Sequence, residues 1–345
     1  MDEIVTKVPI SASISQYLSQ HSYGSIALLV DENTEKHCLP IISGIASYSL
    51  IRIKSGEQNK NLSTCEQIWQ AMTDLHMDRQ SLLINLGGGV IGDMGGFCAA
   101  TYKRGIDFIN IPTTLLSMVD ASVGGKLGID FGSFKNHIGL FQSPEAVLVD
   151  AVFLKTLPER ELFSGYAEVI KHALITSQSD WKRVQEFSLS NPSWPTLLQR
   201  SIDIKSAVVA KDWKEQGLRK TLNFGHTIGH AIESHFLEDQ QVSVLHGEAV
   251  VAGIICELYL SSEKHGFSAS DFKTIEDYML KIYGKIAINE NNHSTIAQVA
   301  TQDKKNEKGE IRGVLLKEIG TPIIDSVITT EEIVKALQYY NTLNI

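Results

Sequence analysis

The second half of the chain holds residues of the types that bind metals and move protons, at spacings that bring them together. Asn223, His226, His230 and Glu233 follow one another at intervals of three, four and three, which puts all four on one face of a helix. His246 opens a further expected helix in LHGEAV, and Glu168 lies on another, Gly165 to Ile175, with Lys171 three and His172 four positions later. One carboxylate with two or three imidazoles is a nitrogen and oxygen donor set suited to zinc, with a coordination position left open for substrate. Spacing does not choose the ligands: His226 and His230 at i and i+4 can both serve, and His172 can replace either. Any one of these histidines alone reads better as a hydrogen-bonded core or surface residue than as a ligand. Their joint occurrence is what points to a metal.

A second chemical signal lies nearer the N-terminus. The apolar run Leu82 to Leu86 leads straight into Gly87-Gly88-Gly89-Val90-Ile91-Gly92-Asp93, so glycines 87, 89 and 92 satisfy GxGxxG between a strand and a helix. Without Cβ atoms such a loop lets backbone amides and the positive helix end approach a pyrophosphate. The competing reading is a tight turn that packs helix on sheet. Asp107 does not sit at the end of the next strand, where a ribose-binding acid is expected, and the loop follows a middle strand of the domain. Both points suggest a nucleotide-binding fold other than the standard one. Thr113 and Thr114 after a strand, and the expected loop Asp120 to Lys126, add hydroxyls and a cation that suit phosphate or ribose, or else simple capping and a surface lysine.

The elements that must position these groups follow from hydrophobic patterning. The expected strands Ser25 to Val30, Ser81 to Leu86, Ile106 to Ile111 and Ala146 to Val149 alternate with amphipathic stretches, the rhythm of a parallel sheet covered by helices. Beyond Pro158 helical periods take over, as in Glu161 to Ile175, Leu197 to Ala210 and His226 to Phe236. The expected organisation is an α/β nucleotide-binding domain with a parallel sheet over 1–152 and a mainly α-helical metal- and substrate-binding domain over 153–345. The segment Asp303 to Glu310, with Lys304 and Lys305, reads as a solvated loop.

Composition narrows the partners. A length of 345 residues fits two domains, and 43% hydrophobic with 21% charged residues is an ordinary globular balance. The net charge of -9 gives no global field for nucleic acid. Cys38, Cys65, Cys98 and Cys256 form no CxxC pair, which speaks against a disulfide framework and suits a reducing cytoplasm. The start MDEIVTKVPISASISQ has no signal-peptide pattern, and apolar stretches such as Ala249 to Cys256 are far short of the ~20 residues of a membrane helix.

With these residues assembled, the chain resembles the 3-dehydroquinate synthase family over nearly its whole length. The resemblance rests on SGEQNK (Ser55 to Lys60), GGGVIGDMGGFCAATYKRGI (Gly87 to Ile106), IPTTLLSMVDASVGGKLGID (Ile111 to Asp130), FLKTLPERELFSGYAEVIKHALI (Phe153 to Ile175), GLRKTLNFGHTIGHAIE (Gly217 to Glu233) and LHGEAVVAG (Leu245 to Gly253). It implies zinc, or cobalt in its place, on Glu168, His226 and His246, with His230 and Lys171 facing substrate. It implies NAD on Asp31, Glu57, Lys60, Gly89, Val90, Ile91, Gly92, Asp93, Thr113, Thr114, Asp120, Lys126, Lys135 and the Phe153-Leu154-Lys155-Thr156 segment. Substrate contacts carried over are Lys126, Asn136, Lys205, Arg219, Asn223, His230 and one of Lys304 or Lys305. Arg104 is expected to reach a neighbouring subunit, which implies a homodimer. The sequence departs from the family where His172 replaces a usual aromatic residue and Trp213 interrupts an acidic pair.

The implied reaction converts 3-deoxy-D-arabino-heptulosonate 7-phosphate to 3-dehydroquinate and phosphate. A sugar acid carrying phosphate and carboxylate accounts for Lys126, Lys171, Lys205 and Arg219 in an acidic protein. The rivals are a sister sugar-phosphate cyclase, a metal-dependent polyol dehydrogenase and an inactive nucleotide-binding protein.

Overall fold

Short runs of β-branched and leucine residues pair side by side to build the first half of the protein, here in a computed structural model that describes residues 3–6, 9–132, 134–190, 192–238, 244–301 and 310–344. The chain divides into two units, Met1–Pro158 with Trp194–Ser206, and Glu159–Ser193 with Ala207–Ile345.

The first unit runs β1 (Glu3–Val5), α1 (Ile10–Gln20), β2 (Ile26–Asp31), α2 (Glu32–His37), β3 (Ser49–Ile53), α3 (Leu62–Asp74), β4 (Leu82–Gly87), α4 (Gly89–Thr101), β5 (Asp107–Pro112), β6 (Lys126–Phe131), β7 (Phe134–Phe141) and β8 (Ala146–Leu148). Six strands form one parallel sheet in the order β1-β8-β5-β4-β2-β3. β4 is buried throughout, as expected for a strand covered on both faces. Its register against β5 sets Asn85 opposite Asn110, and the Asn85 Nδ2 donates to Asn110 Oδ1 at 2.9 Å. Slipping by one residue would bury these amides without each other, so the pair fixes the register.

From β2 the chain steps outward to β3, then crosses back to β4 on the other side of β2. The carboxyl ends of β2 and β4, at Asp31 and Gly87, therefore flank the point where strand order reverses, the usual ligand crevice of such sheets. The glycine loop follows a middle strand in sequence, yet it lies at that switch point. β6 and β7 pair as a separate antiparallel hairpin that patterning did not anticipate. Gly128 and Gly139 interrupt its alternation, and Gly139 is needed because a Cβ there would strike the Leu127 carbonyl.

The second unit comprises α5 (Glu159–Thr176), α6 (Gln178–Glu186), the end of α7 (Trp194–Lys211), α8 (His226–Glu238), α9 (His246–His265), α10 (Ala269–Tyr283), α11 (His293–Ala300), the antiparallel hairpin β9 (Ile311–Glu318) and β10 (Thr321–Ile328), and α12 (Thr330–Thr342). α9 is buried along most of its length and packs against α5, α8, α10 and α12. Glycines let it approach closely: a Cβ on Gly253 would fall 2.6 Å from the Gly229 nitrogen, and one on Gly247 would strike the backbone of Ser164. The start of α8 is thereby held against α9, and the first turn of α9 against α5. Among the described residues no helix is long and apolar enough to cross a membrane.

Candidate active site

Those close approaches bring Glu168 of α5, His226 at the start of α8 and His246 at the start of α9 to one point. Glu168 Oε1 lies 3.5 Å from His226 Nε2 and 3.6 Å from His246 Nε2. Donors held ~2.0–2.1 Å from a tetrahedral zinc are separated from one another by about 3.4 Å, so the three fit a metal with little movement. The opposite ring nitrogens are anchored. His226 Nδ1 donates to the Phe224 carbonyl at 3.1 Å, and His246 Nδ1 donates to Glu233 Oε2, also at 3.1 Å. A proton on each Nδ1 leaves the Nε2 lone pair facing Glu168, the tautomer a metal ligand requires.

Electrostatics favour a cation here. Burial works against a charged His246, but the carboxylates of Glu233 and Glu168 outweigh it and raise the imidazole to about 10. Lys171, fully buried, pairs with Glu168 Oε2. His230, Glu233 and His246 form a second group close enough to share an ion. The two groups differ in the nitrogen of His246 that they use, since Nε2 faces Glu168 and Nδ1 faces Glu233. The His230 ring centre is 5.0 Å from that of His226 and 5.8 Å from that of His246.

Asn223 is not on the helix of the histidines. It ends a 3-10 turn, Leu218–Asn223, and Gly225 with φ +79 separates it from α8. Its Nδ2 donates to Glu215 Oε1 at 2.8 Å. Arg219 is almost fully buried; its Nη1 donates to the carbonyl of Trp213 at 2.7 Å, so the residue that departs from the family pattern still supplies a backbone acceptor. Asp212 braces this turn by accepting the N–H groups of Gln216, Gly217 and Arg219, which hold its carboxyl below the usual value against the opposing effect of burial.

In the first unit, Gly88 precedes α4 and Asp93 lies just beyond its first turn. None of glycines 87, 88, 89 and 92 has a positive φ, so the loop does not need glycine for its turn. Gly87 is packed against Ile91, while Cβ atoms on Gly89 and Gly92 would come no closer than 3.4 and 4.0 Å to the protein. The fold tolerates side chains at 89 and 92; their absence leaves room above the helix terminus, as a closely approaching pyrophosphate requires. Lys60, buried, donates to Asp93 Oδ2 at 2.5 Å and Asn136 Oδ1 at 2.7 Å. Burial opposes its charge, but Asp93, Glu57 and Asp130 hold its pKa above the ordinary lysine value. Lys135 sits 3.8 Å from Glu57, and Lys205 donates to both the carbonyl and Oδ1 of Asp120.

The remaining expected positions are more scattered. Asp31 caps α2 through the N–H groups of Asn33 and Thr34, Thr114 bonds Ser117 at the start of a π-helical turn, and Thr113 is buried with its N–H on the Gly87 carbonyl. Phe153 and Leu154 are buried, Lys155 and Thr156 exposed. Lys126 is exposed at the start of β6, and Arg104 has φ +72 in a turn after α4. Lys304 and Lys305 lie outside the described residues. Sequence spacing placed Glu233 on the histidine face but did not foresee its bond to His246; a carboxylate seven residues after a candidate ligand was the available signal.

The fold, a parallel sheet with a glycine loop at its switch point and a mainly helical second unit, has counterparts among solved structures. It is shared with the 2-epi-5-epi-valiolone synthase ValA of Streptomyces hygroscopicus subsp. jinggangensis, solved with NAD+ and Zn2+ (TM-score 0.88, 23% identity, 99% of this chain and 97% of that one). It is shared also with a 2-deoxy-scyllo-inosose synthase complexed with carbaglucose-6-phosphate, NAD+ and Co2+ (TM-score 0.84, 22% identity, 98% and 96%). The family models described as 3-dehydroquinate synthase N-terminal and C-terminal match residues 50–164 and 165–306. A 3-dehydroquinate synthase of Parabacteroides distasonis is 41% identical over 98% of this chain and 97% of its own length. The chain belongs to the 3-dehydroquinate synthase family.

Proposed function

We propose that the protein converts 3-deoxy-D-arabino-heptulosonate 7-phosphate to 3-dehydroquinate and inorganic phosphate, with no net change in NAD. The observation that carries this reading is the convergence of His226 and His246 Nε2 on Glu168 Oε1, each histidine braced through Nδ1, in a chain 41% identical to a named 3-dehydroquinate synthase. Glu168, His226 and His246 hold zinc or cobalt, and the segment from Gly89 to Asp93 seats the NAD pyrophosphate at the positive end of α4. When bound, a metal held by Glu168, His226 and His246 would supply Lewis acidity toward a substrate hydroxyl, and NAD seated on the Gly89 to Asp93 segment would supply reversible hydride acceptance.

The chain's own residues bind and orient. Arg219, its backbone fixed by Asp212, offers a planar fork to the substrate carboxylate, a bidentate match that lysine cannot make. Lys126, Asn136, Lys205, Asn223 and His230, with Lys171 and one of Lys304 or Lys305, supply donors and positive charge for hydroxyls and phosphate. Arg104 reaches the site of a partner copy, so the working unit is a homodimer, and the chain's four cysteines with no CxxC pair suit a reducing cytoplasm.

Two variants test the assignment. Glu168→Ala abolishes metal binding and turnover, while Arg219→Ala weakens substrate binding and leaves metal and NAD in place. Full turnover by metal-free Glu168→Ala protein would overturn the metal assignment.

A further inference from the structure

Glu257 is fully buried in the middle of α9, within the otherwise apolar stretch Ile254 to Leu258. Its Oε2 accepts from the Gly225 N–H at 2.6 Å, and its Oε1 accepts from the N–H groups of Thr227 at 3.0 Å and Ile228 at 3.2 Å. These donors lie on both sides of His226. We infer that Glu257 is a positioning residue of the metal site, fixing the backbone that aims His226 at Glu168. The inference rests on the reading that Glu168, His226 and His246 hold a metal.

The first N–H groups of a helix have no partner within it and are ordinarily met by a side chain at the preceding position. Before α8 that position is Gly225. It has φ +79, and a Cβ there would strike Ile254 and come within 3.1 Å of the Val250 carbonyl, so no serine or aspartate fits. The cap therefore comes from another helix. A carboxylate at the positive end of α8 is favourable in charge as well as in hydrogen bonding.

Glu257 also lies on the same helix as His246, eleven residues along, about three turns. One rigid rod thus carries a ligand at its first position and the clamp on a second ligand three turns later. The rod is fastened in turn: Ser261 Oγ donates to the Glu257 carbonyl and accepts from Leu316 N–H of β9. A residue serving packing alone would be apolar like its neighbours, because burying a carboxylate is costly unless its bonds are specific.

Cobalt titration of metal-depleted protein against a competing chelator, read by visible absorption, tests this. Glu257→Gln is expected to weaken cobalt binding at least tenfold and to alter the ligand-field bands, as loss of supporting groups around metal ligands does. Glu276→Gln, which changes another buried glutamate, held by Tyr339 and Lys273, is expected to keep the parent affinity and spectrum. A parent-like Glu257→Gln, or an equal loss in Glu276→Gln, would overturn the inference. A parent protein that binds no cobalt would instead sink the metal reading itself.

Residue-resolved hydrogen exchange on the metal-depleted parent gives an answer even should Glu257→Gln fail to fold. The Gly225, Thr227 and Ile228 amides are expected among the slowest of the second unit, and fast exchange there would show that Glu257 does not fix the turn.

Discussion

His246 turns one ring nitrogen toward Glu168 and gives the other to Glu233, 3.1 Å away. The bond sets tautomer and ring orientation together. Glu233→Ala is therefore expected to weaken metal affinity about 10–100-fold without abolishing it, measured by chelator competition. Complete loss would place the ion instead in the group formed by His230, Glu233 and His246.

The glycines separate into those the fold needs and those it does not. Gly92→Ala places its Cβ within a helix at an unstrained 4.0 Å from Asn110 Nδ2 and is expected to raise stability by about 0.5–1 kcal/mol while weakening NAD binding. Gly253→Ala forces α8 and α9 apart and is expected to cost about 1–3 kcal/mol together with metal affinity. Denaturant melts alongside NAD and cobalt titrations check both, and unchanged NAD binding in Gly92→Ala would argue against a pyrophosphate above that turn.

How far such distinctions were legible in the sequence depends on the range of the interaction. The strand-to-helix setting of Gly87 to Asp93 and the helical starts at His226 and His246 follow from local patterning, and both are present. The choice between His226 and His230 was not local: both lie on one face, and what separates them is the approach of Glu168 from α5. Asn223 reads as continuous with α8 by spacing, but the positive φ of Gly225 breaks the helix before it. The β6–β7 hairpin was hidden because glycines interrupt its alternation. The inclusion of Trp194–Ser206 in the first unit depends on tertiary contacts that periodicity does not carry.

Lys60 and Asp93 form a poorly exposed ion pair beside the glycine turn. Removing one partner strands the other, so Lys60→Met is expected to destabilise by about 3 kcal/mol and to weaken NAD binding. The double variant Lys60→Met with Asp93→Leu should recover most of the stability and none of the affinity. Urea denaturation with NAD titration separates the two effects.

His293 is a buried imidazole whose Nε2 lies 3.0 Å from Asn341 Nδ2, and burial lowers its pKa. With the amide as donor, the neutral ring is the form that fits. A depressed folded-state value means the contribution to stability is complete above the unfolded value of about 6.5 and is lost as pH falls through the folded-state value below it. Relative to His293→Gln, which retains an acceptor, the parent protein is expected to lose urea-midpoint advantage as pH falls from 7 to 5.

The proposed reaction is a redox-neutral cyclisation driven by phosphate loss. Purified protein supplied with zinc, NAD and 3-deoxy-D-arabino-heptulosonate 7-phosphate should release phosphate and 3-dehydroquinate in equal amounts while NADH absorbance fails to accumulate. Steady accumulation of NADH, or consumption of substrate without phosphate release, would contradict it.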